Sequence, residues 1–344
     1  LKAGERLFIQ CENAVDCGGF CDYAMAGATH MTYTLKTAKL SLINEAAESF
    51  DFDMRCAWDV YEHAEDRYVA KRLYNAIDDA MHMVDYDMGK ERFYASVPAA
   101  AERFWNDAAK IRSATPGKVV MAGHSHLDVA WLWTVRELNR KTARTFSNNL
   151  VLMDHYPDFR FTQSQAAVYW FMKERWPEIF ERVKEKVKSG QCEITGNTWV
   201  EADTNIASGE SLVRQLLYGR EFFMKEFGVS SDIYWLPDCF GFTAALPQII
   251  RKSGMKYFIT SKLQNNDTNE FPVSAYKWRS HSGDEVLAYM QKVSYNGEGD
   301  AKYIVRARAT NRQNDLTDAS MGMFGYGDGG GGCTYAMVER LRRM

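Results

Sequence analysis

The sequence lacks the features that mark membrane-spanning and nucleic-acid-binding proteins. Its 344 residues include no run of about 18 apolar residues, and the chain does not open on a basic segment followed by an apolar one. The formal net charge is −3, and like charges do not cluster in long runs, so no strong field attracts nucleic acid or an anionic membrane. These absences predict that neither is a partner, and they leave sugar or other small-molecule chemistry open.

Closely spaced cysteine pairs, as in a structural zinc site or a disulfide scaffold, are also lacking. The cysteines are scattered and odd in number, which favours free thiols in a reducing compartment and predicts a cytoplasmic location. They are Cys11, Cys17, Cys21, Cys56, Cys192, Cys239 and Cys333.

The length exceeds the usual domain size of roughly 100 to 200 residues and predicts two structural units. Residues 1–115 form an N-terminal linker and helical region, because apolar residues recur there at helical spacing. Residues 116–344 form the second unit, which begins at the chain-breaking pair Pro116-Gly117. The chain starts at Leu1 and stops inside a helix-like segment, which predicts a C-terminally incomplete fragment. The helical patterns of the first unit cover residues 35–50, 69–84 and 97–111.

In the second unit, short apolar runs alternate with helical patterns. Such βαβα alternation predicts an α/β fold with a parallel sheet or barrel, whose active groups lie at the carboxyl ends of the strands. The strand-like segments are 118–123, 159–165, 192–200, 232–237, 256–261 and 285–290. The helix-like segments are 142–153, 170–190, 208–228 and 246–254.

The stretch GHSHLDVAWLW follows the first of these strands and contains a candidate metal site. His126 and Asp128 are two residues apart, so in extended backbone their side chains point the same way. Imidazole and carboxylate together suit zinc or a similar divalent metal. A polar strand end with ordinary hydrogen-bonded histidines explains the same residues equally well.

Two other strand ends carry acidic side chains. Asp238, in WLPDCFGF, follows an apolar strand among aromatic residues, which suits a nucleophile or a metal ligand. Its alternative role is to cap the next helix. Glu201, Asp203 and Asn205 alternate after a third strand. Residues at three strand ends therefore indicate acid catalysis or metal binding.

Five segments, in this order and spacing, resemble the glycoside hydrolase family 38 α-mannosidases, specifically the cytosolic and bacterial branch. The resemblance implies a parallel (β/α)7-type barrel and a zinc-dependent retaining α-mannosidase. Asn197, Thr198 and Cys333 depart from the usual pattern of that branch, without touching the chemistry directly. The segments are AGHSHLDVAWLW, SQAAVYWFMKE, GNTWVEADTNIASGESLVRQ, WLPDCFGFTAALPQI and FGYGDGGGG.

The resemblance also assigns roles to individual residues. His126, Asp128 and Asp238 match ligands of a single zinc ion, whereas His124 does not. Asp238 additionally matches the nucleophile, and Asp328 matches the general acid/base. A further zinc-ligand histidine of the family is missing, because none follows His281, and His281 itself is predicted to be a surface loop residue. The residues implied to line the sugar site are Trp131, Phe240 and Lys262.

The implied substrate is a terminal α-mannoside, in an oligosaccharide or a small mannoside, and homo-oligomer formation is left open. Two other function classes fit parts of the pattern. A metal-dependent carbohydrate deacetylase also binds zinc through aspartate and histidines at strand ends. A non-catalytic sugar-binding relative fits a truncated chain.

Overall fold

A computed structural model describes residues 42–112 and 117–344. Several sequence predictions lie outside the described residues. These are Cys11, Cys17 and Cys21, the first part of the helix predicted over 35–50, and the boundary predicted between residues 115 and 116.

The described chain begins with three helices that share one apolar core. Asn44 caps the first helix by accepting a hydrogen bond from Ala47 N, and Asp66 caps the second by accepting from Tyr68 and Val69 N. Their inward faces are apolar at helical spacing, so they pack against each other. The core residues include Phe50, Leu73, Ile77, Val97 and Phe104. The helices are α1 (Glu45–His63), α2 (Arg67–Met81) and α3 (Lys90–Ala108).

The rest of the described chain alternates strands and helices, and its strands form two four-stranded sheets. The first sheet has the order β3-β2-β1-β8 and is parallel throughout. The second has the order β4-β5-β7-β6, with only β6 antiparallel to its neighbour. The strands are β1 (Lys118–His124), β2 (Phe161–Gln163), β3 (Cys192–Ile194), β4 (Ile233–Trp235), β5 (Tyr257–Thr260), β6 (Ala275–Arg279), β7 (Glu285–Met290) and β8 (Ala319–Phe324).

Helices cover the outer sides of these sheets. Among the described residues, none of the helices is both long and apolar enough to cross a membrane. The helices are α4 (Val135–His155), α5 (Ala166–Arg175), α6 (Pro177–Lys188), α7 (Gly209–Phe227), α8 (Leu246–Lys252), α9 (Ala301–Ala309) and α10 (Tyr335–Arg343), and a 3-10 turn covers Lys262–Gln264.

A small apolar cluster fills the space between the two sheets. Trp235 of β4 and Ile259 of β5 meet Met323 of β8 there, together with Tyr295 from the loop after β7. Larger clusters lie outside each sheet, beneath the helices. The sheets therefore face each other, and loops that follow their strands approach one another at one end.

The structure confirms the predicted mixed α/β fold with parallel strands, but the described residues form two sheets and not one closed barrel. One gap lies at the β8 edge, where only Phe324 pairs with Gly297 in an isolated bridge, and the other lies between β3 and β4, which are only three residues long. A single backbone hydrogen bond, 3.1 Å from Gly196 N to Ile233 O, connects the two edges. One bond is too few to make a ladder, so the sheets remain separate.

The single helix predicted over 170–190 is two helices, α5 and α6. Pro177 causes the break, because it lacks a backbone N–H and disfavours helical backbone at the residue before it. Trp176 accordingly has non-helical φ and ψ of −139° and 58°. Pro177 then starts α6, where its missing donor is not needed.

Candidate active site

Polar side chains from three strand ends meet in the described structure. His126 and Asp128 follow β1, Asp238 follows β4 and Asp328 follows β8. One nitrogen of His126 and one oxygen of each carboxylate all lie within 4.8 Å of one another. Because β4 belongs to a different sheet from β1 and β8, the approach of the two sheets creates this cluster.

The His126 ring lies among three carboxylates. Its Nε2 atom is 3.1 Å from Asp128 Oδ1 and 3.2 Å from Asp238 Oδ2, and its Nδ1 atom is 2.8 Å from Glu201 Oε2. Burial opposes the charged ring, but the carboxylates outweigh burial, Glu201 foremost, and raise the pKa of His126 well above its usual value. A proton on His126 therefore offsets part of the carboxylates' charge, as a bound cation would.

The ligand atoms of the cluster are suited to bind a metal cation. One imidazole nitrogen and several carboxylate oxygens suit zinc or another divalent metal. The side chains of His126, Asp238 and Asp128 are 4%, 11% and 26% exposed. Carboxylates this shielded from water need a positive partner, so a divalent cation matches the site.

Asp238 has a second positive partner. Lys262 Nζ lies 2.8 Å from Asp238 Oδ1. Burial opposes ionisation of Asp238, but hydrogen bonds and charges from His126 and Lys262 outweigh it and lower the pKa of Asp238 to about 2. Asp238 is therefore ionised at neutral pH, as both a nucleophile and a metal ligand require.

Aromatic rings surround this charged group. Lys262 Nζ lies 4.9 Å from the ring centre of Phe240 and 4.8 Å from that of Tyr295, close enough for cation–π attraction. Phe240 is 73% exposed, which leaves its ring free to contact a ligand.

The third predicted substrate-binding residue, Trp131, lies in the same loop as Asp128. Its ring centre is 5.4 Å from that of Trp133. Trp133 in turn donates from Nε1 to Asp128 O at 3.1 Å. The tryptophan pair is therefore attached to the loop that carries the cluster.

The Asp328 loop is fixed to the end of β1 by its backbone. Asp128 N donates to Asp328 O at 3.0 Å, and Leu127 pairs with Gly329 in an antiparallel bridge. Asp328 has a φ of 54°, which is uncommon outside glycine but tolerated by aspartate. The loop thus holds the Asp328 carboxylate beside the other three ligand candidates.

Tyr295 contacts Asp328 and lies near enough to feel the charge of Asp238, and the sequence did not predict it. Its hydroxyl donates to Asp328 Oδ1. Burial, followed by the charge of Asp238 and the hydrogen bond to Asp328, raises the pKa of Tyr295 well above its usual value. The hydroxyl therefore keeps its proton and acts as a hydrogen-bond donor.

Of the three polar residues that alternate after β3, only Glu201 reaches the cluster. Asp203 instead accepts hydrogen bonds from the backbone of Asn205 and Ile206, at 2.8 and 2.9 Å, and stabilises its own turn. The alternation pointed to this loop, but not to which of its residues contacts His126.

Two other histidines lie outside the cluster, and His281 is at the surface as predicted. His124 is buried, 2.6 Å from Tyr295 O through Nε2, and lies outside the four-residue cluster. Burial lowers the pKa of His124 to about 4. His281 is exposed in the turn between β6 and β7.

A family model described as the glycosyl hydrolases family 38 N-terminal domain matches residues 116–344. The chain belongs to glycoside hydrolase family 38. The match covers the two sheets and every residue of the cluster.

Curated relatives in this family are named α-mannosidases. Alpha-mannosidase G of Dictyostelium discoideum is 37% identical over 99% of this chain and 31% of that protein. Alpha-mannosidase 2C1 of Mus musculus is 36% identical over 91% of this chain and 30% of its own length. The α-mannosidase of Saccharomyces cerevisiae is 40% identical over 64% and 21%. The chain thus spans between about a fifth and a third of these family 38 relatives.

A solved structure has a similar fold. The α-mannosidase from Enterococcus faecalis V583 superposes with a TM-score of 0.53 at 20% identity, covering 66% of this chain and 26% of that one. At this identity the likeness concerns the fold alone.

Proposed function

We propose that this chain carries the active centre of a zinc-dependent retaining α-mannosidase that hydrolyses terminal α-mannosides. One observation carries the proposal: His126, Asp128, Asp238 and Asp328 converge within 4.8 Å at three strand ends of a family 38 domain. The names of the relatives support mannose as the sugar.

In this proposal Asp238 is the nucleophile. Its carboxylate is ionised, because Lys262 and His126 lower its pKa to about 2, so an oxygen is ready to attack the anomeric carbon. The bond from that carbon to the leaving-group oxygen breaks as the glycosyl-aspartate bond forms. Phe240 and Trp131 supply apolar ring faces for the sugar, and Lys262 holds Asp238 in place.

Asp328 is the general acid and then the general base. It gives a proton to the leaving oxygen and later takes one from the water that cleaves the glycosyl-aspartate. Retaining enzymes place their two carboxyl groups about 5 to 5.5 Å apart, whereas inverting enzymes need about 6.5 to 9.5 Å. The short separation of the Asp238 and Asp328 oxygens, within 4.8 Å, supports the retaining course.

His126, Asp128 and Asp238 would hold one zinc ion. Bound there, the ion would act as a Lewis acid that offsets carboxylate charge and polarises hydroxyls of the sugar. The chain's own residues orient that site: Asp128 by the backbone bond from its N–H to Asp328, and His126 by its contact with Glu201.

Three wider predictions belong to the same proposal. The two sheets are the halves of a (β/α)7-type barrel that stays open in the described residues, and the isolated links from Gly196 to Ile233 and from Gly297 to Phe324 mark where its edges approach. The helices before residue 116 form a separate unit, supported by their own core. The protein works in the cytoplasm, supported by the free thiols of Cys56, Cys192, Cys239 and Cys333.

The decisive experiment changes the nucleophile in the complete protein. Asp238→Asn keeps the shape but removes the charge, so hydrolysis of an aryl α-mannoside is expected to fall at least about a thousandfold. Asp232→Asn is the matched control, because Asp232 is exposed and pairs only with a surface lysine, Lys256, at 2.7 Å. Activity of Asp238→Asn within tenfold of wild type would refute the assignment.

Formation of the glycosyl-aspartate can be measured directly, and the result distinguishes the proposed mannosidase from a deacetylase. Wild-type protein incubated with an activated, slowly hydrolysed α-mannoside is expected to gain one mannosyl group, found on the peptide containing Asp238 by mass spectrometry. A deacetylase, whose nucleophile is a water molecule, forms no such adduct.

A further inference from the structure

Behind His126, on the side away from Asp128 and Asp238, lies a second set of buried polar side chains. Glu201 is 3% exposed and places Oε2 2.8 Å from His126 Nδ1. Its other oxygen, Oε1, accepts a hydrogen bond from the Ser164 hydroxyl. Ser164 thus satisfies one oxygen of this buried carboxylate, whereas Glu201 Oε2 and His126 Nδ1 face each other at ion-pair distance without an aligned hydrogen bond.

Gln165 connects the Glu201 loop with the loop of the cluster. Its Oε1 accepts from Glu201 N at 3.0 Å, and its Nε2 donates to Leu127 O at 2.8 Å. Leu127 lies between His126 and Asp128 in the chain. The two hydrogen bonds of one amide thus fix the backbone of both loops relative to each other.

The backbone of Gln165 is unusual in a way that supports a specific role. The residue has a φ of 68°, although it is not glycine, and it is 2% exposed. This conformation is uncommon and costs free energy, so surrounding contacts must hold it. Ala166 and Ala167, which follow it, donate their N–H groups to Thr198 O and Trp199 O, each at 2.9 Å. The start of α5 is therefore bonded to the loop that carries Glu201.

We propose that Glu201, held by Ser164 and Gln165, is a positioning residue that orients His126 and strengthens binding of a divalent cation. This inference rests on the proposed function. A neutral imidazole offers one nitrogen to a metal and donates a proton from the other. Glu201 Oε2, 2.8 Å from Nδ1, is the carboxylate oxygen placed to accept that proton when a metal binds, which leaves Nε2 free on the side of Asp128 and Asp238.

A carboxylate in this position also makes the ring a stronger ligand. Partners of ligating histidines fix the tautomer and raise ligand basicity, and their loss weakens metal affinity about 10- to 100-fold. A purely structural role, in which Glu201 only satisfies a buried histidine, predicts lower stability without a selective loss of cation affinity.

The test measures affinity for Zn²⁺ alone, by competition with a chromophoric chelator, in the complete protein. Glu201→Gln keeps the size of the side chain and removes its charge, and zinc is expected to bind about 10- to 100-fold more weakly. Glu193→Gln is the matched control, because Glu193 lies on the neighbouring β3 and is exposed; its affinity is expected to equal that of wild type. With Co²⁺ in place of zinc, the visible spectrum of Glu201→Gln is expected to shift, since the ring orientation changes.

A second variant keeps the test informative if Glu201→Gln does not fold. Gln165→Met removes both amide hydrogen bonds and leaves the carboxylate, and it is expected to weaken zinc binding severalfold. Wild-type zinc affinity in both variants, or in the one that folds, would overturn the positioning role and leave the proposed function standing. A wild-type protein that binds no zinc would instead overturn the zinc site of the proposed function, and this inference with it.

Discussion

Two side chains contact the carboxyl group of Asp238 from opposite sides and lower its pKa. Lys262 contacts Oδ1 and His126 contacts Oδ2. Burial alone would raise the pKa of an aspartate, so the value of about 2 depends on these partners. A group with a depressed pKa stabilises the folded state above its unfolded pKa and loses that contribution as the pH falls through the folded value. For Asp238 this window lies between about pH 4 and pH 2.

Replacing Lys262 should therefore change the acid side of the activity profile. Lys262→Met removes the charge near Asp238 and keeps an apolar stem, so the pKa of Asp238 rises. We expect the acid limb of kcat/KM to move up, by up to about one pH unit. The measurement is the pH dependence of aryl α-mannoside hydrolysis.

Lys256→Met is the control for that measurement. Lys256 also pairs with an aspartate at 2.7 Å, but both side chains are at least half exposed, so water screens the pair. Its profile should match that of wild type. An unmoved acid limb in Lys262→Met would show that Lys262 does not determine the charge of Asp238.

Much of the candidate site can be predicted from the sequence where a short motif follows a strand. His126 and Asp128 come together because two residues of extended chain place both side chains on one side. Tyr295 could not be predicted this way, because it lies in an irregular loop after β7 and reaches Asp328 only through the fold. The alternation of Glu201 with Asp203 and Asn205 indicated a polar strand end. It did not indicate that Glu201 contacts His126.

At the scale of elements, the segments with strong periodicity were predicted best. The pattern over 208–228 matches α7, and the apolar run 285–290 matches β7. β6, β8 and α9 were not predicted: α9 is short and β8 contains a glycine, whereas YKWR in β6 does alternate apolar and polar residues and is a strand signal. The sequence predicted that the strands are parallel but not which strands pair. Strand order depends on contacts between residues far apart in sequence.

Helix α7 packs directly on the loop that precedes Glu201, and a glycine permits the contact. A Cβ atom at Gly219 would lie 2.5 Å from the carbonyl carbon of Thr198 and closer still to Asn197 O. Gly219→Ala is therefore expected to lower the free energy of unfolding by about 1 to 3 kcal/mol, measured by urea denaturation.

The same helix offers the control for this prediction. Gly209 is the first residue of α7, and a Cβ atom there would meet nothing within 4 Å. Gly209→Ala should be neutral or stabilise the protein by up to about 1 kcal/mol. If the two substitutions had equal effects, helix propensity and not the close contact would govern both sites.

At the scale of the whole molecule, the first three helices, which we propose as a separate unit with its own core, also contact the α/β part. Asp59 Oδ2 accepts from Ala301 N at 2.6 Å, at the start of α9. Asp53 of α1 forms an ion pair with Arg343 of α10, at 2.7 Å between Oδ1 and Nε. These polar contacts tie α1 to elements from the far end of the sequence.

The pair between Asp53 and Arg343 is buried, and this decides how strongly the two parts are coupled. The side chains are 5% and 12% exposed, and Asp53 keeps only a hydrogen bond from Trp105 Nε1, at 3.0 Å, if the arginine is removed. Arg343→Met in the complete protein removes the cation from Asp53 and also from Glu339 within α10, and the loss at buried Asp53 alone costs about 3 to 5 kcal/mol. We expect calorimetry to show a clearly lower Tm.

The adjacent Arg342→Met removes an exposed pair with Asp158 and should change stability by less than about 1 kcal/mol. Equal shifts in the two variants would mean that burial of the first pair does not couple the helices to the α/β part.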